Sequence, residues 1–323
     1  MNPHSTWRAT THRTDPVHNQ PAGEGGQSNR YARLSRWKLM AAGIGLLVIA
    51  FNVPLRELLS RGLHEEIYSH VLLVPFISGY LVWIQRNDFV RSRNRDFPLA
   101  MFAAVTGLSM LLGYGAAVTF GGMVSDNDQL SLLMFSFVCL VSALCLTVNG
   151  KENASRLTFP LGFLLLMVPF PTVVLEGITT FLQFASAEAA YVFIKLSGTP
   201  VLRDGLVFNL PGLAPVEVAA ECSGIRSTLV LLITSLVGGH LFLKQSAGKW
   251  WLATAAIPIG ILRNGFRILA LVWLSIHVDH GILDGPVHHR GGPIFFLLSL
   301  VPLLGLLVFL KKRERRTQSQ SRR

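Results

Sequence analysis

The sequence predicts an all-α membrane protein, a polytopic bundle of about eight transmembrane helices with a small extracytoplasmic hairpin before the sixth span. Three observations predict it. Half of the 323 residues are hydrophobic and only 15% are charged, with a mean hydropathy of +0.45, a balance rarely met in a water-soluble domain. The apolar residues fall in runs close to the ~20 residues that a crossing helix needs. The basic excess flanks those runs and does not gather on one face.

Residues 1–37, rich in Thr, Gln, Asn, Gly and Arg, are expected to form a disordered basic cytoplasmic tail. The polar stretch before the first span is too long for the n-region of a signal peptide. The membrane domain is expected over 38–310, with spans at 38–55, 69–85, 97–118, 129–148, 158–175, 225–243, 250–277 and 293–310. Pro169-Phe170-Pro171 is expected to kink or end the fifth span. Segment 176–197 carries Glu176, Glu188 and Lys195 and reads as a helix lying at the interface. Between it and the sixth span, Asp204-Gly205 separates two β-prone pieces, which predicts a hairpin. Residues 311–323 form a second basic cytoplasmic tail.

Net charge is +11. Residues 1–38 contribute +4, 86–96 +2 and 311–323 +6, all beside spans, and the rest of the chain −1. That placement follows the positive-inside rule and argues against nucleic acid as a partner. With eight crossings and both termini cytoplasmic, the basic loops all fall inside, whereas a ninth crossing would put Lys311-Lys312-Arg313 outside. The expected location is the inner (plasma) membrane, with lipids as constant partners.

Three cysteines cannot make a disulfide framework, and the chain has no C-x-x-C and no H-E-x-x-H. Cys139 and Cys145 lie inside an apolar run, where cysteine behaves as a small hydrophobe. Cys222 differs. It stands in Ala219-Ala220-Glu221-Cys222-Ser223-Gly224-Ile225-Arg226, at the expected outer start of the sixth span. A thiol at a helix start is favoured as thiolate by the unpaired backbone N–H groups.

The seventh span contains Gly260, Arg263, Asn264 and Arg267 at i, i+3, i+4, i+7, one helix face. An arginine inside a span costs about 2.5–3.5 kcal/mol on insertion scales, so two on one face imply a polar partner or a wet cavity. Counting from Lys249, Arg267 lies roughly 27 Å along the helix, at about the depth of Cys222. The next loop, before the eighth span, holds His277, His280, His288 and His289. Thiol, guanidinium and imidazole at one level make a complete set for acyl transfer.

Each component also has a plainer reading. The cysteine can be inert, the arginines can snorkel to lipid phosphate, and the histidines can be solvated or hold a metal with Asp279 and Asp284. A transporter or lipid-binding protein with an arginine-lined path is the alternative to the enzyme. A metal-dependent membrane hydrolase is a third reading.

Several further motifs, in order, resemble the exosortase/archaeosortase family of membrane cysteine transpeptidases. They are Tyr68-Ser69-His70 with Leu73-Val74-Pro75; Phe159-Pro160-Leu161 with Val168-Pro169-Phe170-Pro171; Gly198-Thr199-Pro200-Val201-Leu202-Arg203-Asp204-Gly205; Glu221-Cys222-Ser223-Gly224-Ile225-Arg226; Asn264-x-x-Arg267-Ile268; and His288 four residues before Gly292. The resemblance covers about residues 64–310. It implies that Cys222 is the nucleophile, Arg267 the essential arginine and His288 the histidine, with His289 adjacent as the other candidate. Glu221, Arg226, Asn264 and Arg263 would support them. It further implies exported substrates with a C-terminal sorting signal (a motif such as Pro-Glu-Pro, an apolar helix and a basic tail), and an acceptor such as a lipid or glycan amine at the outer face. No cofactor or metal is implied.

Overall fold

The computed structural model describes residues 24–90, 97–121, 125–210, 215–277 and 292–320. These residues are mostly helical, with one small antiparallel sheet. Helix α1 (Glu24–Ala50) starts before residue 38, where the first span was expected. It ends where Pro54 would drive its ring into the carbonyl of Ala50. The chain resumes as α2 (Asn52–His64), bent by 80° from α1. The expected first span, 38–55, is thus a broken pair. A 3₁₀ helix (Glu66–Leu72) leads into α3 (Val74–Ile84), with Pro75 in its first turn, where a missing N–H is tolerated.

Helices α4 (Phe97–Thr119) and α5 (Asp126–Asn149) form a close antiparallel pair. Ser136 Oγ on α5 donates to Gly107 O on α4 at 2.7 Å. Ser125 caps α5 by accepting from Asp128 N at 3.1 Å. After Gly150 the chain turns into α6 (Lys151–Leu164) and a short 3₁₀ turn (Leu165–Met167). It then meets the other end of α5. Ser131 Oγ donates to Pro169 O at 2.8 Å, Asn127 Nδ2 to Phe170 O at 2.8 Å, and Thr172 N to Asp128 Oδ1 at 2.6 Å. Tyr68 joins this knot by donating to Asn127 Oδ1 at 2.8 Å.

Here the structure corrects the sequence reading. Residues 158–175 are not one helix, because the run Pro169-Phe170-Pro171 separates α6 from α7 (Thr172–Leu196). Segment 176–197, expected as an interfacial helix, belongs almost wholly to α7. By length and composition α7 is itself able to cross a membrane. Seven described helical segments pass that test, and the bent α1–α2 pair makes eight. The expected count of about eight stands, with α7 replacing 158–175.

The hairpin is present. Strands β1 (Leu202–Asp204) and β2 (Val207–Asn209) pair antiparallel, Asp204 opposite Val207. The two-residue turn is Gly205-Leu206, and Gly205 takes a φ of 59°, which hairpin turns demand. A third strand, β3 (Val216–Glu217), adds to β2; two residues are too few for a periodic signal. Phe208 of β2 is fully buried with Ala187, Ala190 and Ile194 of α7. Arg203 fastens the sheet to α7 through an ion pair with Glu188 at 2.8 Å and donates to Gly205 O at 2.7 Å.

Helices α8 (Ile225–Phe242), α9 (Ser246–His277) and α10 (Gly292–Gln320) complete the bundle. Helix α10 continues past residue 310, so the basic segment 311–320 is helical. Its buried Glu314 accepts from Lys244 N and Gln245 N, both at 3.0 Å, closing the α8–α9 turn.

Candidate active site

Cys222 lies in a one-turn 3₁₀ helix (Ala220–Ser223) ahead of α8. The sequence reading placed the thiol at the helix start; it belongs to a separate turn, and Gly224 intervenes as the N-cap of α8. Cys222 N donates to Ala219 O at 2.9 Å. Gly224 has a φ of 78°, in the left-handed region. A Cβ there would also stand 2.8 Å from Asn264 Cγ and 3.1 Å from Arg263 Nη2. Glycine is therefore required twice, by backbone conformation and by space. Its carbonyl starts α8 by accepting from Thr228 N at 3.0 Å and Thr228 Oγ1 at 2.9 Å.

Helix α9 brings its polar stripe to this turn because two glycines let it approach its neighbours. A Cβ on Gly260 would lie 2.5 Å from Thr228 Oγ1 of α8, and one on Gly265 would lie 2.6 Å from Ala189 Cβ of α7. So wedged, α9 presents Asn264 to the turn, and Asn264 Nδ2 donates to Cys222 O at 2.6 Å. One turn farther along, Arg267 lines the same small cavity as Cys222 and Asn264. This cavity, of about 40 Å³, is closed by Val216, Glu217 and Val218 at β3 and by Ile268, Leu271 and Val272 of α9. Its volume leaves room for a water or one small group. Cys222 and Arg267 thus line one largely apolar pocket, where a charge acts far more strongly than in water.

The supporting residues separate. Arg263 is buried against Gly224, at 7% exposure, and does not line the cavity. Arg226 turns away, pairing with Glu66 at 2.6 Å, with both side chains exposed. The side chain of Glu221, and all of 278–291 with His288 and His289, lie outside the described residues. Among the described residues no group of three His, Cys, Asp or Glu side chains is placed to hold a metal.

Three contributors were not read from the sequence. Glu217 lines the cavity. Gln183 Nε2 donates to Val218 O at 2.5 Å, and Ser186 Oγ to Ser223 O at 3.4 Å. Gln183, Ser186 and Ala190 share one face of α7 by their i, i+3, i+7 spacing, a signal available had 176–197 been read as a buried helix.

The model of the transmembrane exosortase (EpsH) family matches residues 59–305, from within α2 to within α10. No curated protein and no solved structure matches the chain. The match takes in the Cys222 turn, the Asn264–Arg267 face and the sheet that walls their cavity: the chain belongs to the transmembrane exosortase family.

Proposed function

We propose that this exosortase is a membrane cysteine protease–transpeptidase that cleaves the C-terminal sorting signal of exported proteins and transfers the product to an acceptor at the outer face. The observation that supports it is the cavity shared by Cys222, Asn264 and Arg267. The thiolate of Cys222 adds to the scissile carbonyl carbon, and the carbonyl electron pair moves onto oxygen. The guanidinium of Arg267 stabilises that oxyanion in an apolar pocket. The intermediate collapses, the C–N bond breaks, and the leaving amine takes a proton from His288, with His289 as its neighbour in that role. An acyl thioester remains on Cys222. An acceptor amine, from lipid or glycan, attacks it and gives up a proton to the now neutral His288, the C–S bond breaks and the thiolate returns. Water in place of the amine gives plain hydrolysis.

In this reading both termini are cytoplasmic and the pocket opens outward, as the charge distribution favours. Asn264 keeps the Cys222 backbone in place. Arg226 steadies the outer rim through Glu66, and Glu221 neighbours the nucleophile. The test uses a tagged exported protein ending in a shared motif, an apolar span and a basic tail. Cys222→Ala is expected to insert normally and leave the tag unprocessed, while a His288 variant, lacking the proton donor for the leaving amine, forms little substrate–enzyme thioester. Normal processing by Cys222→Ala would overturn the assignment and favour a transport or metal-dependent role.

A further inference from the structure

Arg263 stands one turn before Arg267 on the same face of α9. It is 7% exposed, and among the described residues its Nε and Nη2 have no hydrogen-bond partner. No ion pair among the described residues includes it. What fixes its place is Gly224, where a side chain would meet Arg263 Nη2 at 3.1 Å. Arg263 therefore lies against the backbone of the nucleophile turn, while Arg267 faces the cavity.

A guanidinium keeps its proton in proteins, so α9 carries two fixed cations a turn apart inside a span. The burial of Arg263 is relieved by an anion beside it. Cys222 can supply one. It precedes Gly224 by two residues, and its carbonyl is held by Asn264 at 2.6 Å. Building on the reading of Cys222 as nucleophile, we propose that Arg263 is a positioning residue for the thiol: its buried charge beneath Gly224 favours the ionised sulfur, while Asn264 fixes the turn that carries it.

Among the described residues, Arg267 on the cavity wall adds to this effect and the remaining charged groups do not reverse it. Glu217 on the cavity wall opposes it but is exposed. Helix α7 contributes the neutral Gln183 and Ser186, while its Glu188 is engaged by Arg203. Arg226 of α8 is engaged by Glu66. The two arginines then divide the work, Arg263 acting on the nucleophile and Arg267 on the oxyanion.

The experiment measures iodoacetamide alkylation of Cys222 against pH in the full-length protein in membranes, quantified by mass spectrometry of the Cys222 peptide. Arg263→Met is expected to raise the midpoint by about one pH unit, seen as roughly tenfold slower alkylation on the acidic side. Arg263→Lys keeps the charge and is expected to stay within about threefold of wild type by the same measure. A merely structural role would change the rate at every pH and leave the midpoint in place. Should Arg263→Met fail to insert, Arg263→Gln removes the charge while keeping a polar side chain and is expected to raise the midpoint in the same direction. An unmoved midpoint in whichever variant folds overturns the proposal, as does a shift confined to Arg267→Met. The readout needs no substrate, so its outcome is distinct from failure of the peptidase reading, which shows as processing by Cys222→Ala.

Discussion

Asn264, in the middle of α9, donates its side-chain amide to the carbonyl oxygen of Cys222 at 2.6 Å. The helix that carries Arg267 therefore also grips the backbone of the proposed nucleophile, and the two cannot drift apart independently. Asn264→Ala cuts that link and leaves a half-buried carbonyl without its donor, at a cost of about 1–3 kcal/mol. Processing of a tagged substrate is expected to fall by roughly 10- to 100-fold, the same free energy on a rate scale. Wild-type turnover in Asn264→Ala would mean that the turn is held by other contacts.

Gly224→Ala tests the turn itself. A methyl group there meets Asn264 Cγ at 2.8 Å, at a φ of 78° that disfavours any side chain. The expected result is loss of processing with a lowered melting temperature, at a cost of at least about 1–2 kcal/mol from the backbone alone. Thermal unfolding in detergent, followed by tryptophan fluorescence, checks it.

Gly260→Ala tests the contact of α9 with α8. The new Cβ would lie 2.5 Å from Thr228 Oγ1 and 3.0 Å from Thr228 Cγ2. Overpacking of this kind costs about 1–3 kcal/mol. Trimming the facing residue, as in Gly260→Ala with Thr228→Ala, is expected to recover most of the lost stability and activity. Absence of recovery would argue against direct contact as the cause.

Arg203→Met tests the anchoring of the sheet. Arg203 pairs with Glu188 at 2.8 Å, donates to Gly205 O at 2.7 Å and stands 5.6 Å from the centre of the Tyr191 ring. Its loss is expected to loosen the β1–β2 hairpin from α7 and widen the cavity walled by β3. Faster proteolysis near Gly205 together with reduced processing would be the signature. Arg203→Lys is expected to rescue only in part, because an ammonium lacks the planar fork.

Glu314→Gln probes the opposite end of the bundle. The carboxylate accepts from two backbone amides at 3.0 Å each, in a residue 7% exposed. Charge-assisted bonds of this kind contribute about 1.5–3 kcal/mol each. The variant is expected to melt at a lower temperature and to process substrate normally when cool. An equal loss of activity at every temperature, cool ones included, would instead tie this turn to the site.

The sequence alone settled the class of the protein, since long apolar runs and charges outside them permit little but a helical membrane bundle. It also settled the polar face of α9, because helical periodicity is local and four residues suffice to declare it. The Gly205 turn was legible for the same reason: a left-handed residue is written at one position. Tertiary structure decided which long helix replaces 158–175. Pro169-Phe170-Pro171 breaks one segment, and hydrogen bonds donated by Asn127 and Ser131 and accepted by Asp128, some forty residues earlier in the chain, fix where the next begins. It likewise decided which of the expected supporting residues come near the Cys222 turn. Arg226 adjoins the Cys222 turn in sequence and faces Glu66, whereas Arg263 and Asn264, about forty residues away, touch it. Contacts between distant segments depend on where Gly260 and Gly265 let helices close in, and only packing in three dimensions sets that.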